Sequence, residues 1–243
     1  MINPLSEKGF TLIELVLIIV LIAVIASIAL RNMSTSVDTA QYEHTKQELD
    51  HLAYAIVGNV HVYSSGSRTD FGYVGDVGAL PPNLTALYQN PGYVSWDGPY
   101  ITNGTGNNDY LRDAWNTDYT YTGLLLRSTG SGANIDKEVA PSSASLFGNS
   151  LNGYIIDASG QTPGTIYKDS LIVRMRYPNG TGGYSNIASA VDNSGNFGFT
   201  SLPIGSHTLT VIYTPDSDTV TYNVAILPES SNKLSVVFPA DLF

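Results

Sequence analysis

The 243-residue chain contains no cysteine. That absence excludes thiol catalysis, thiolate-ligated metals and any disulfide staple. It leaves a location outside the cytoplasm open, because exported proteins need not use disulfides. Charge is also scarce, at 13% of residues, and cations are scarcest: 11 Lys plus Arg stand against 21 Asp plus Glu, for a formal net charge of −10. Nucleic-acid binding draws on Lys and Arg to neutralise phosphates, so no nucleic-acid partner is expected. The chain has no P-loop, dinucleotide fingerprint or Gly-x-Ser-x-Gly elbow. No two of His44, His51, His61 and His207 are four residues apart, so no helical metal pair forms. No His-plus-acid arrangement singles out a Ser or Thr as nucleophile, and the chain is not expected to be an enzyme.

What is present begins with one long apolar run. From Phe10 to Leu30 every residue is apolar or small except Thr11, Glu14 and Ser27. About 20 residues at ~1.5 Å each cross a hydrocarbon core. The run is too long for an ordinary secretory signal, and no Ala-x-Ala-like cleavage site follows it. Beyond Leu30, the positions Leu49, Leu52, Ala53, Ile56, Val57 and Val60 fall on one helical face, which predicts a helix continuing to Val62. Gly58-Asn59 weakens its end and Ser64-Ser65-Gly66-Ser67 stops it. Glu14 is out of place, since a carboxylate in a membrane helix costs about 2.5–3.5 kcal/mol, less near the interface. Either it reaches the headgroups or stays protonated, or it pairs with a cation from another subunit.

The run Lys8-Gly9-Phe10-Thr11-Leu12-Ile13-Glu14-Leu15 resembles the processing motif of type IV pilins and type II secretion pseudopilins. The resemblance implies a leader, residues 1–9, cut by a prepilin peptidase between Gly9 and Phe10. It implies N-methylation of Phe10 and a filament-assembly role for Glu14 opposite a neighbouring subunit's N-terminal amine. The partners it implies are the peptidase, other copies of the chain and related pilins, an inner-membrane assembly platform, and membrane lipid before assembly. Many members of that family carry Pro where this chain has Arg31, so a straighter helix is expected here.

Residues 63–150 are loop-rich. The phrases Gly78-Ala79-Leu80-Pro81, Trp96-Asp97-Gly98-Pro99-Tyr100-Ile101 and Asp113-Ala114-Trp115-Asn116-Thr117-Asp118-Tyr119 are similar to the globular region of the major secretion pseudopilin. Members of that secretion branch bind calcium in a loop of the head. The carboxylates in this stretch that could supply oxygen ligands are Asp109, Asp113, Asp118 and Asp136, but they follow no EF-hand spacing and match no ligand loop of the family. Equally, Asp-rich turns cap and turn without binding metal, and no metal is assigned. Trp96, Tyr100, Trp115, Tyr119 and Tyr121 offer either a small-domain core or a sugar-stacking platform.

From residue 151 to 243 the pattern changes to period two. Leu171, Val173, Met175 and Tyr177 alternate with Ile172, Arg174 and Arg176, giving one apolar and one partly charged face. Similar alternation runs through Leu209-Val211-Tyr213, Val220-Tyr222-Val224-Ile226 and Leu234-Val236-Phe238, between turn phrases such as Asp192-Asn193-Ser194-Gly195. About seven short strands predict a β-sandwich. The stretch from Asp192 to Leu209 is similar to carboxypeptidase-regulatory-like, transthyretin-like domains, which implies a structural or adhesive module.

The expected architecture is α+β: a long N-terminal transmembrane α-helix (10–62, with 10–30 spanning), a small antiparallel-sheet pilin head, and a C-terminal all-β sandwich domain. The function expected from the resemblance is a structural subunit of a type IV pilus or type II secretion pseudopilus. It would be single-pass in a bacterial inner membrane before assembly, and a periplasmic or extracellular filament after it. The alternative is a membrane-tethered adhesion or binding module displayed through its sandwich.

Overall fold

A computed structural model describes Gly9 and residues 11–102 and 109–243. A single helix, α1 (Leu12–Val57), runs for 46 residues, about 70 Å. It contains neither Gly nor Pro, the two residues that most readily interrupt a helix. Arg31 passes without a break, and Ser34 and Thr35 return their hydroxyls to its carbonyl at 2.9 and 3.1 Å. At the start, Thr11 Oγ1 accepts from Glu14 N–H, while Glu14 Oε2 accepts from Thr11 N–H at 2.9 Å, a reciprocal capping box.

The helix has two environments. Every described side chain from Leu12 to Met33 is exposed, whereas Leu49, Leu52, Ala53 and Ile56 are buried. The helix ends five residues short of the expected Val62, so Val60 and His61 lie beyond it and Val60 is exposed. Gly58 causes the stop. It takes φ +81°, and a Cβ there would lie 2.3 Å from the Asp70 carbonyl oxygen, so only glycine fits. The chain returns through a short hairpin, β1 (Tyr63–Ser64) and β2 (Ser67–Arg68). The buried Arg68 donates from Nη2 to the Val57 carbonyl at 2.6 Å and from Nε to the Asp70 carbonyl at 2.7 Å. The last turn of α1 has no basic residue of its own, and this guanidinium supplies the missing charge.

Around the second half of α1 pack a short helix α2 (Gly72–Val77), a three-stranded antiparallel sheet and a turn of helix α3 (Ser143–Phe147). The sheet comprises β3 (Thr120–Thr122), β4 (Leu125–Ser128) and β5 (Ile135–Glu138). Leu49, Leu52, Ile56, Tyr73, Leu87 and Leu126 form the centre of this core.

The remaining strands form two sheets around a second core. They are β6 (Asn149–Ile156), β7 (Leu171–Pro178), β8 (Tyr184–Ser189), β9 (Asn196–Leu202), β10 (Gly205–Tyr213), β11 (Asp218–Ile226) and β12 (Ser231–Val237). One sheet has the order β11-β10-β7-β8, all antiparallel, and the other the order β12-β6-β9. Within the second, β6 and β9 are antiparallel but β12 and β6 are parallel, a pairing that alternation alone does not reveal. Leu171, Val173, Met175, Leu209 and Val211 from the first sheet share a core with Leu151, Ile155, Phe197, Phe199 and Val236 from the second. The chain is therefore a mixed α+β protein with a long apolar N-terminal helix and several antiparallel sheets.

The two cores meet through loops. Ile204, just before β10, is buried in the first core and donates its N–H to the Leu146 carbonyl at 2.8 Å. Gly180 N–H donates to the Val77 carbonyl, and the N–H groups of Val94 and Ser95 both reach the Gly182 carbonyl. Asn149 is buried at this joint, with Nδ2 donating to the carbonyls of Ser145 and Leu202 and Oδ1 accepting from Ser230 N–H.

Candidate functional site

Of the residues singled out by the N-terminal motif, Gly9 is exposed and Phe10 lies outside the described residues. Glu14 is committed locally, its Oε2 accepting from the backbone and hydroxyl of Thr11 at 2.9 and 2.8 Å.

Asp113 and Asp118 do not converge. The side chain of Asp109 lies outside the described residues. Asp113 is buried, and its carboxylate is a loop staple. Oδ1 accepts from the N–H groups of Trp115 and Thr117, and Oδ2 from Ser128 Oγ and Gly130 N–H. Asp118 sits on the surface, paired with Arg112 Nε at 2.8 Å. Among the described residues, no group of three or more His, Asp and Glu could hold a metal ion.

The loop around Asp113 is tied to α1: Gln41 Nε2 donates to the Ala114 carbonyl, and Ala114 N–H to Thr45 Oγ1. Beside it Tyr119 donates its hydroxyl to Glu48 at 2.7 Å. These contacts bound a polar groove of about 1050 Å³, with His44, Glu48, His51, Arg112 and Asp118 along its walls. The aromatic residues belong to the core rather than to a platform. Trp96 donates Nε1–H to the Ala86 carbonyl and meets Tyr100 edge-on at 5.5 Å, and Tyr100 meets Tyr73 likewise at 5.7 Å. Burial pushes the Asp76 carboxyl up to about 6, opposed by the hydrogen bond from Tyr100 Oη at 2.9 Å and reinforced by Asp97 and Asp70.

The charged side of β7 is the other candidate. Arg174 and Arg176 stand on the outer face of the four-stranded sheet beside Asn186 of β8 and Thr208 and Thr210 of β10. The Arg176 guanidinium stacks on Tyr184, 3.7 Å from the ring centroid. This alternation was legible in the sequence.

Sequence reasoning missed two other groups: His207, whose burial in the sheet its neighbours in sequence do not show, and Asp157, which adds the distant Leu242 and Phe243 to its local partners. His207 of β10 is buried on the inner side of this sheet, with Nε2 2.8 Å from the Pro203 carbonyl oxygen and Nδ1 without a hydrogen-bond partner among the described residues; burial lowers its pKa. Asp157 gathers five donors: the N–H and hydroxyl of Ser159, and the N–H groups of Gln161, Leu242 and Phe243. Burial alone would raise its carboxyl, but these bonds outweigh it and bring it to about 2.

No family model matches the chain, and no curated protein matches it. Among solved structures, a candidate carbohydrate-binding protein from Pseudomonas aeruginosa is 16% identical over 38% of this chain and 90% of that one, with a TM-score of 0.25. A DUF3823 family protein from Parabacteroides merdae is 19% identical over 38% of this chain and 46% of that one, with a TM-score of 0.27. BcpA, the major pilin subunit of Bacillus cereus, is 13% identical over 49% of this chain and 37% of that one, with a TM-score of 0.25. Scores this low carry no argument about fold or function. These findings correct the family expected from the sequence. Neither the type IV pilin and type II secretion pseudopilin family nor the carboxypeptidase-regulatory-like domain is matched by any model. The likeness at Lys8–Leu15 is a local one of eight residues and does not place the chain in a family.

Proposed function

We propose that this chain is a non-enzymatic binding module, tethered to a bacterial inner membrane by α1 and presenting its C-terminal sandwich to the outside. One observation carries the reading: the most apolar 18-residue window of α1 has a mean hydropathy of 3.1 and no buried residue. Among the described residues the head packs only on the second half of the helix and leaves the first half uncovered.

The magnitudes favour insertion. Leu12 to Leu30 holds 14 Leu, Ile and Val residues. At about 0.3–0.6 kcal/mol each they contribute roughly 4–8 kcal/mol toward the membrane. Glu14 opposes them by at most about 3.5 kcal/mol, and less at the interface. The capping box further reduces that cost by satisfying part of the carboxylate.

The test is fractionation of the full chain in a bacterial host. It is expected to stay in the membrane pellet through an alkaline carbonate wash, to extract into detergent as a monomer, and to expose its sandwich to protease added to spheroplasts. Recovery in the soluble fraction, or as a sheared polymer, would overturn the proposal.

A further inference from the structure

We infer that the outer face of the β11-β10-β7-β8 sheet binds an acidic polysaccharide, with Arg174 and Arg176 receiving uronate carboxylates. The inference rests on the tethered-module reading and names the ligand class of that module.

Sheet register places the relevant side chains in two rows. Asn186, Arg176, Thr208 and Asn223 lie abreast across the four strands, and Ala188, Arg174, Thr210 and Thr221 form the next row on the same face. Successive rows are about 6.6 Å apart, and neighbouring strands about 4.8 Å. The face is thus two guanidiniums set in a field of hydroxyls and amides. Such groups can both donate and accept, as sugar hydroxyls require.

The two arginines are uncommitted as cations. Among the described residues, neither has a carboxylate within ion-pair distance, whereas Arg112 and Arg127 pair with Asp118 and Asp136. In a chain of net charge −10, two adjacent unpaired arginines make this face a local exception. Stacking on Tyr184 holds the Arg176 guanidinium by its face and leaves its in-plane N–H edge for a carboxylate, the planar fork that Arg presents and Lys does not.

The same features select among anions. A nucleic acid carries a phosphate at every step and needs many cations, and the acidic remainder of this chain would repel it. A globular protein partner would need a well-packed apolar centre to the contact. Here Tyr184 and Ile212 are set apart among arginines, threonines and asparagines, and Tyr184 is already covered by the Arg176 guanidinium. The groove between the arginines and Thr208, Thr210 and Ile212 measures about 320 Å³, at the small end of ligand sites and suited to a short stretch of an extended chain. A polymer of sugar acids, with one carboxylate per unit among several hydroxyls, matches both the sparse charge and the dense hydrogen-bonding capacity.

The test uses the full chain in non-ionic detergent micelles, titrated calorimetrically with an oligogalacturonate, with an oligomer from alginate, and with the same oligogalacturonate fully methyl-esterified. At least one of the acidic oligomers is expected to bind, and esterification to weaken oligogalacturonate binding at least tenfold. Arg174→Gln and Arg176→Gln should each weaken binding several-fold, and the double variant at least tenfold, with the melting temperature unchanged because both side chains are exposed. Equal affinity for the ester, undiminished binding by the double variant, or tighter binding of a DNA oligomer would each overturn the inference. So would absence of binding to either acidic oligomer at millimolar concentration. Membrane retention and monomeric state, scored on the same preparation, decide the tether reading separately.

Discussion

Replacing Asp76 with Asn should stabilise the protein at neutral pH and do nothing in acid. Asp76 is half-buried, and its carboxyl is raised from 3.8 to about 6, chiefly by burial. A carboxyl whose pKa is raised on folding favours the native state while it is protonated. That contribution is complete below the unfolded value of about 3.8 and is lost as pH rises through about 6. Two pH units correspond to about 3 kcal/mol as an upper bound, which solvent screening of a half-buried group reduces to about 1–2 kcal/mol. Asn keeps the shape and an oxygen to accept from Tyr100 Oη, so the hydrogen bond at 2.9 Å survives while the charge goes. A gain of 1–2 kcal/mol raises the melting temperature by roughly 2–8 °C for a folded unit of this size. Trp96, edge-on to Tyr100 at 5.5 Å, gives the fluorescence readout. Thermal melts of both proteins in detergent at pH 4, 5, 6, 7 and 8 should show a difference near zero at pH 4, opening through pH 6 to a plateau at pH 7–8. Subtraction removes the titration of other groups, which both proteins share. A pH-independent difference, or a less stable variant at pH 7, would refute the reasoning.

Arg68→Gln should cost about 2–3 kcal/mol, because it removes charge-assisted bonds to the carbonyls of Val57 and Asp70; hydrogen exchange should quicken first at Tyr54–Gly58, and unchanged protection there would contradict the capping role. Asn149→Ala should loosen the joint between the two cores, leaving the Ser230 amide and two carbonyls without their partner. Faster exchange at Ser145–Leu151 than within β7 and β10 is the expected signature, and uniform exchange would argue against it. His207 contributes in the opposite pH direction from Asp76. Its pKa is lowered on folding, so its contribution is present above the ordinary histidine value and lost as pH falls through the native one. A His207→Gln variant should therefore lose less stability than the parent between pH 7 and pH 5, and parallel pH profiles would contradict that.

Alternation made the strands readable. Leu171, Val173 and Met175 turn inward and Arg174 and Arg176 outward, as period two requires. The helical spacing of Leu49, Leu52, Ala53 and Ile56 likewise marked the face that meets the head core. What escaped sequence reading was decided by partners distant along the chain. The helix stops at Val57 because Gly58 is pressed against Asp70 and Arg68 reaches back to its last carbonyl, contacts that no local periodicity encodes. For Asp113 the sequence left a calcium ligand and a turn cap both open, because an oxygen-rich loop has the same composition whether it binds a cation or its own amides. The parallel seat of β12 beside β6 depends on a crossover between sheets, about which the strand's own residues are silent. An eight-residue motif, finally, could suggest a lineage that the whole chain did not sustain.

The absence of any interruption in α1 sets a height. The first described contact from the helix to the head is Gln41, which donates to the Ala114 carbonyl. With the proposed tether seated to Leu30, the ten residues from Arg31 to Ala40 form bare helix between the hydrocarbon and the head, and the rise from Leu30 to Gln41 is about 16 Å. That spacing is about two Debye lengths at physiological salt. The arginine face of the sandwich would thus stand beyond most of the anionic surface of its own bilayer, held there for ligands approaching from outside rather than captured by the lipids beneath it.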